Sequence, residues 1–142
     1  MNRLIILLLL AGFLACDKDN NPITGCEMTA KIDGKSFCGD GFYIYDGSSV
    51  MTLQAINEDT DEMIFFTIVG AGEGTFVLGT GISVAGYDNP EDGESFILTD
   101  GSLIIEKFGG GKVEGTFSFN AEEMNTGATV SVTDGEFDVD NL

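Results

Sequence analysis

Asp-Gly occurs six times in this chain, as Asp33-Gly34, Asp40-Gly41, Asp46-Gly47, Asp92-Gly93, Asp100-Gly101 and Asp134-Gly135. The dipeptide supports the positive φ angles of type I′ turns, whose twist matches that of paired strands. Between these turn signals lie apolar runs at residues 42–45, 49–57, 62–69, 75–78 and 112–120. In the last, Val113, Gly115, Phe117 and Phe119 alternate with Glu114, Thr116, Ser118 and Asn120, the period of a half-buried strand. No eleven-residue window carries a capped apolar stripe at helical spacing, and only residues 121–125 have room for a single helical turn. Glycine occurs twenty times in 142 residues and proline twice. That is about twice the usual glycine content of roughly 7%, and it reads as turn and bulge chemistry.

Folding the sequence about each dipeptide tests it as a hairpin. About Asp134-Gly135, Val132 faces Phe137 and Val130 faces Val139, with Ser131, Thr133, Glu136 and Asp138 on the other side. One face is apolar and the other polar, as a half-buried hairpin requires. About Asp100-Gly101, Leu98 faces Leu103 and Phe96 faces Ile105, while Ile97 meets Ile104 opposite. About Asp33-Gly34, Ala30 meets Phe37, with Met28 and Ile32 on the same face. Residues 58–61 form a solvated acidic loop between two strands. Glu-Gly-Thr-Phe at 73–76 and again at 114–117 marks two strand beginnings rather than a repeat architecture. The expectation is a single all-β domain over residues 26–142. It is an antiparallel β-sandwich or partly closed β-barrel of about nine to ten strands, largely hairpin-connected.

The chain begins Met1-Asn2-Arg3, followed by twelve apolar residues and Cys16. One cation and a short apolar stretch fit a secretory signal over residues 1–15. Twelve helical residues span about 18 Å, too short for a hydrocarbon core of about 30 Å. Gly12-Phe13-Leu14-Ala15-Cys16 resembles the lipobox of bacterial lipoproteins, which implies that Cys16 is lipidated, with palmitate among its acyl chains, and tethers the protein to a membrane. Residues 16–25 are polar and aperiodic, and read as a flexible tether. Asp17-Lys18-Asp19 resembles the acidic export signal of surface lipoproteins in the Bacteroidota, implying an outer-membrane lipoprotein exposed at the cell surface.

After removal of the signal, five lysines face 24 carboxylates, for a net charge of −19. Nucleic acid is excluded as a partner, because binding it depends on clustered Lys and Arg. Histidine and tryptophan are absent, and the only arginine is Arg3. His-based triads and imidazole bases are therefore excluded, as is the bidentate clamp for phosphate. No catalytic residue and no cofactor is assigned.

Carboxylates are the plentiful reactive groups. A glycosidase needs two of them flanking a sugar, which makes a carboxylate-based glycan hydrolase the alternative to a non-enzymatic module. Clustered oxygen ligands in loops also suit calcium, and the densest cluster is Asp88, Glu91, Asp92 and Glu94, with residues 58–62 second. Neither matches the EF-hand spacing. Phe42, Tyr43 and Tyr45 alternate along one strand and Tyr87 adjoins the acidic loop, where tyrosines could grip a glycan. For Cys26 and Cys38, two arguments oppose each other. Export favours a disulfide. The Asp33-Gly34 register instead sets Cys38 opposite Thr29 and Cys26 about 10 Å away, beyond the ~7 Å limit between bridged Cα atoms. A bridge requires Cys26 to leave the strand before it starts, or a bulge at Gly39.

Residues 115–121, Gly-Thr-Phe-Ser-Phe-Asn-Ala, and 130–139, Val-Ser-Val-Thr-Asp-Gly-Glu-Phe-Asp-Val, resemble the ending of an uncharacterised lipoprotein family common in Bacteroidota. Residues 28–37 are similar to its opening strand pair. The resemblance implies an all-β fold and an envelope location, and no activity comes with it. The expected function is that of a lipid-anchored surface module, structural or binding a glycan or a protein.

Overall fold

The computed structural model describes residues 25–80 and 83–141, so the signal and the Cys16 lipidation site lie outside the described residues. Every regular element among them is a strand. In chain order these are β1 (Met28–Ile32), β2 (Lys35–Tyr45), β3 (Val50–Ile56), β4 (Met63–Val69), β5 (Gly74–Leu78), β6 (Val84–Asn89), β7 (Glu94–Gly109), β8 (Lys112–Glu123) and β9 (Thr129–Asp140). All pairings between them are antiparallel. Going round, β1, β2, β3, β4, β6, β7, β8 and β9 each pair with the next, and β9 returns to β1. This is an eight-stranded up-and-down barrel, which leaves no open edge in the ring. The ninth strand, β5, pairs with Gly101–Ile105 of β7 while β8 holds the other edge of those residues. It therefore lies on the same flank of β7 as β6, further towards the end of β7.

The Asp33-Gly34 hairpin has the expected register, with Ala30 opposite Phe37 and Thr29 opposite Cys38. Asp33 (φ 48°) and Gly34 (φ 82°) both take the positive angles of a type I′ turn. Two other expected hairpins are overturned. Residues 129–140 are one continuous strand, with β8 on one edge and β1 on the other. Asp134 (φ 51°) sits in a bulge, where the three steps from Val132 to Gly135 face only two on β8, from Phe119 to Phe117. Residues 94–109 are likewise one strand, with an extra residue at Thr99. Gly101 is needed there for close approach, since a Cβ on it would lie 2.5 Å from Ser118 O and from Phe119 Cβ. Closing the ring explains the choice. A fold at Asp134 would leave β8 and β1 each with an unpaired edge, whereas a through-strand satisfies both. The helical turn open to residues 121–125 is also overturned at its start, because β8 runs on to Glu123 before the chain turns.

Inward side chains fill the barrel. Phe66, Met51, Leu53, Ile64, Ile68, Leu103 and Val113 are fully buried. Phe117 is the hub of the aromatic packing, with ring centroids 5.0 Å from Phe66 and 6.3 Å from both Phe119 and Phe137. Its ring lies over Gly135, where an added Cβ would come within 2.5 Å of the ring carbons. At the end of the barrel where β1 begins, Tyr45 and Phe108 meet edge to face at 5.1 Å, across the ends of β2 and β7.

The chain is fastened where it joins β1. Cys26 and Cys38 are bridged, with Cα atoms 5.3 Å apart, because Cys26 lies before β1 begins. Of the two routes left open by the register, this is the departure from the strand. Glu27 adds three ties: its N–H donates to Gly39 O (3.1 Å), its carbonyl accepts from Asp138 N (2.8 Å), and its Oε2 accepts from Gly41 N (2.9 Å).

Candidate functional site

In an up-and-down barrel every second loop opens at the same end. The β1–β2, β3–β4, β6–β7 and β8–β9 connections therefore gather at one mouth, opposite the end where the chain joins β1. A cavity of about 370 Å³ lies at this mouth. Ile32, Phe96 and Val130, all buried, line its apolar part, and Asp33, Lys35, Glu62, Asp92 and Glu94 supply the charge.

Tyr87 sits where the two parts meet. It is 4% exposed and stacks on Phe96, with centroids 5.8 Å apart. Its hydroxyl donates to Glu62 Oε1 at 2.5 Å, and Glu62 Oε2 accepts from Thr60 Oγ1 at 2.9 Å. Burial raises the Tyr87 phenol above its ordinary value, and the Glu62 carboxylate and then the charges of Asp92 and Glu94 raise it further. Negative potential from two loops converges on this hydroxyl. Asp33 Oδ1 accepts from Ser131 N and Asp92 Oδ2 from Asn89 Nδ2, so the acids are held in place by neutral donors.

The β8–β9 turn, next to the mouth-lining Ala128–Val130, is held by a residue that the strand pattern does not single out. Glu123, at the end of β8, is the one buried charged side chain among the described residues. Its carboxylate accepts from Thr126 Oγ1 (2.7 Å), Thr126 N (2.6 Å), Asn125 N (2.9 Å) and Asn125 Nδ2 (2.7 Å). These bonds, those from Thr126 first, bring its pKa down to about 2. The available signal was the Asn125-Thr126 pair two and three residues on, an arrangement that offers donors back to a preceding acceptor. Because the folded value is depressed, the stabilisation is complete above the ordinary carboxylate range and is lost as pH falls through about 2. Protection of the Asn125 and Thr126 amides, taken relative to their intrinsic exchange rates at each pH, should fall across that acid window in the wild type. In Glu123→Gln it should be low already at neutral pH. Equal protection in the two proteins at neutral pH would show that the carboxylate does not order this loop.

The structure divides the calcium candidates. Asp92 and Glu94 line the mouth, joined by Glu62 from the second cluster. Asp88 has the outward parity of β6 and accepts from Ser95 Oγ, and Glu91 is exposed in the turn. Among the described residues no three acids form a group that could hold a metal ion. The tyrosines do not form a platform. Tyr43 and Tyr87 are buried, and Tyr45 is engaged by Phe108 at the opposite end. A broader, shallower groove of about 680 Å³ crosses the outer faces of β7, β8, β9 and β1. Its acids include Glu27, Glu106 and Glu136, while Glu114 and Asp138 are bridged by Lys112 and Glu114 also by Lys107. No loops converge on that groove.

A family model described as "Domain of unknown function (DUF6252)" matches residues 24–139. No curated protein and no solved structure matches the chain.

Proposed function

Since the chain belongs to the DUF6252 family, a domain of unknown function, we propose from its own features that it is a non-enzymatic binding module, lipid-anchored through Cys16 on the outer membrane of a member of the Bacteroidota and exposed at the cell surface. The observation that carries the reading is the opposition of the two barrel ends. The chain joins β1 at the end where Tyr45 and Phe108 meet edge to face, and the mouth lined by the converging loops lies at the other end. A module tethered at residue 16 would thus hold its mouth outward, towards a sugar of a glycan or a side chain of a protein. The Cys26–Cys38 bridge supports export, since disulfides persist in oxidising compartments.

Cys16→Ser should abolish labelling by a radioactive fatty acid and release the protein from the membrane fraction. Labelling that persists in that variant would remove the anchor. Surface exposure is tested by protease treatment of whole cells, and a chain protected until the outer membrane is broken would face the periplasm instead.

A further inference from the structure

We propose that the mouth recognises an ammonium or guanidinium group carried on a short apolar stem, an inference that rests on the mouth being the binding site. Three features of the cavity lead there. Buried Ile32, Phe96 and Val130 make part of its lining apolar, and about 370 Å³ admits an alkyl stem as well as a head group. Its rim sets four carboxylates, Asp33, Glu62, Asp92 and Glu94, against the single Lys35. And that charge is left uncompensated. The ion pairs among the described residues join Lys31 to Asp134, Lys107 to Glu114, and Lys112 to Glu114 and Asp138, and none of these residues lines the cavity.

The spacing of the acids decides between cations. A divalent metal needs several oxygens converging on one point, at 2.3–2.6 Å for calcium. Here no three acids converge in that way, although they surround a common cavity. An organic cation spreads its charge over several N–H donors and can use acceptors distributed round a rim. The rim is also organised in advance. Glu62 is held by the hydroxyls of Tyr87 and Thr60, Asp33 by the backbone of Ser131, and Asp92 by Asn89. A ligand would therefore meet fixed acceptors and little side-chain ordering would oppose binding. The Tyr87 hydroxyl, already under the influence of Glu62, Asp92 and Glu94, marks where the positive charge would sit.

The test titrates the folded, disulfide-bonded protein with hexylamine, with hexan-1-ol and with a blocked peptide carrying one lysine, reading the NMR shifts of Tyr87 and Phe96. Hexylammonium should bind about tenfold more tightly than the alcohol, the difference expected of charge-assisted hydrogen bonds. Glu94→Gln, at a half-exposed residue whose carboxylate has no hydrogen-bond or ion-pair partner among the described residues, should weaken the amine by about threefold or more without affecting the alcohol. Asp134→Asn removes one negative charge from the outer face and should change neither affinity. Tighter binding of the peptide than of the free amine would assign the cation to a protein side chain, and the reverse to a small molecule. Equal binding of amine and alcohol, or equal loss in Asp134→Asn and Glu94→Gln, overturns the cation and leaves the mouth as a binding site. Binding of none of the three probes overturns both.

Discussion

Phe117→Ala should destabilise the barrel by about 3–5 kcal/mol, the range for removing a buried aromatic ring. Phe117 touches the rings of Phe66, Phe119 and Phe137 and covers Gly135, so its loss leaves a void bounded by β4, β8 and β9 together. These strands are pinned by ladder hydrogen bonds and have little freedom to close over it. The adjacent Ser118 points outward, and Ser118→Ala should stay within about 0.5 kcal/mol. Urea melts of the two variants provide the check. Comparable losses would mean that β8 presents the wrong face to the core.

Removing the bridge is expected to cost almost as much. Cys26 and Cys38 are twelve residues apart, and closing a loop of that size stabilises by about 3 kcal/mol, largely through the unfolded chain. The double variant Cys26→Ser, Cys38→Ser should therefore melt at lower urea while leaving the NMR shifts at the mouth unchanged. Intact mass of the freshly isolated wild type, alkylated without reductant, should show no added label on these two residues. Two alkylated thiols, or identical melts with and without reductant, would contradict the bridge.

The six Asp-Gly dipeptides show how far the fold could be read in advance. Three are turns between strands: Asp33-Gly34, Asp46-Gly47 and Asp92-Gly93. The other three lie inside β2, β7 and β9. At Asp100 and Asp134 the error has a definite cause. A two-residue hairpin loop and a one-residue bulge both move the apolar residues from even to odd positions, as from Val130 and Val132 to Phe137 and Val139. The inward set was therefore legible while the strand's partner was not, because the partner depends on long-range closure. β6 escaped notice because it is short and has Gly86 at its centre, a position the ring of Phe65 covers from the neighbouring strand. That omission hid the site as well. Both acidic loops stood out in the sequence, but placing them at one mouth requires the correct count of strands between them. Glu123 was missed for another reason: its burial follows from the turn after β8, where no strand pattern operates.

The fastening at Cys26 and Glu27 has a mechanical consequence. A pull delivered along the chain at Gly25 would, without it, peel β1 from its neighbours one hydrogen bond after another. With it, the pull divides at once among β2, through the disulfide and the bonds to Gly39 and Gly41, and β9, through the bond from Asp138. Those two strands flank β1, so the load enters the wall of the barrel as shear across several strands. In single-molecule extension the wild type should rupture in one high-force step. The Cys26→Ser, Cys38→Ser variant should yield β1 first and at lower force, so that one covalent bond between the chain ahead of β1 and β2 sets how hard the whole barrel can be pulled.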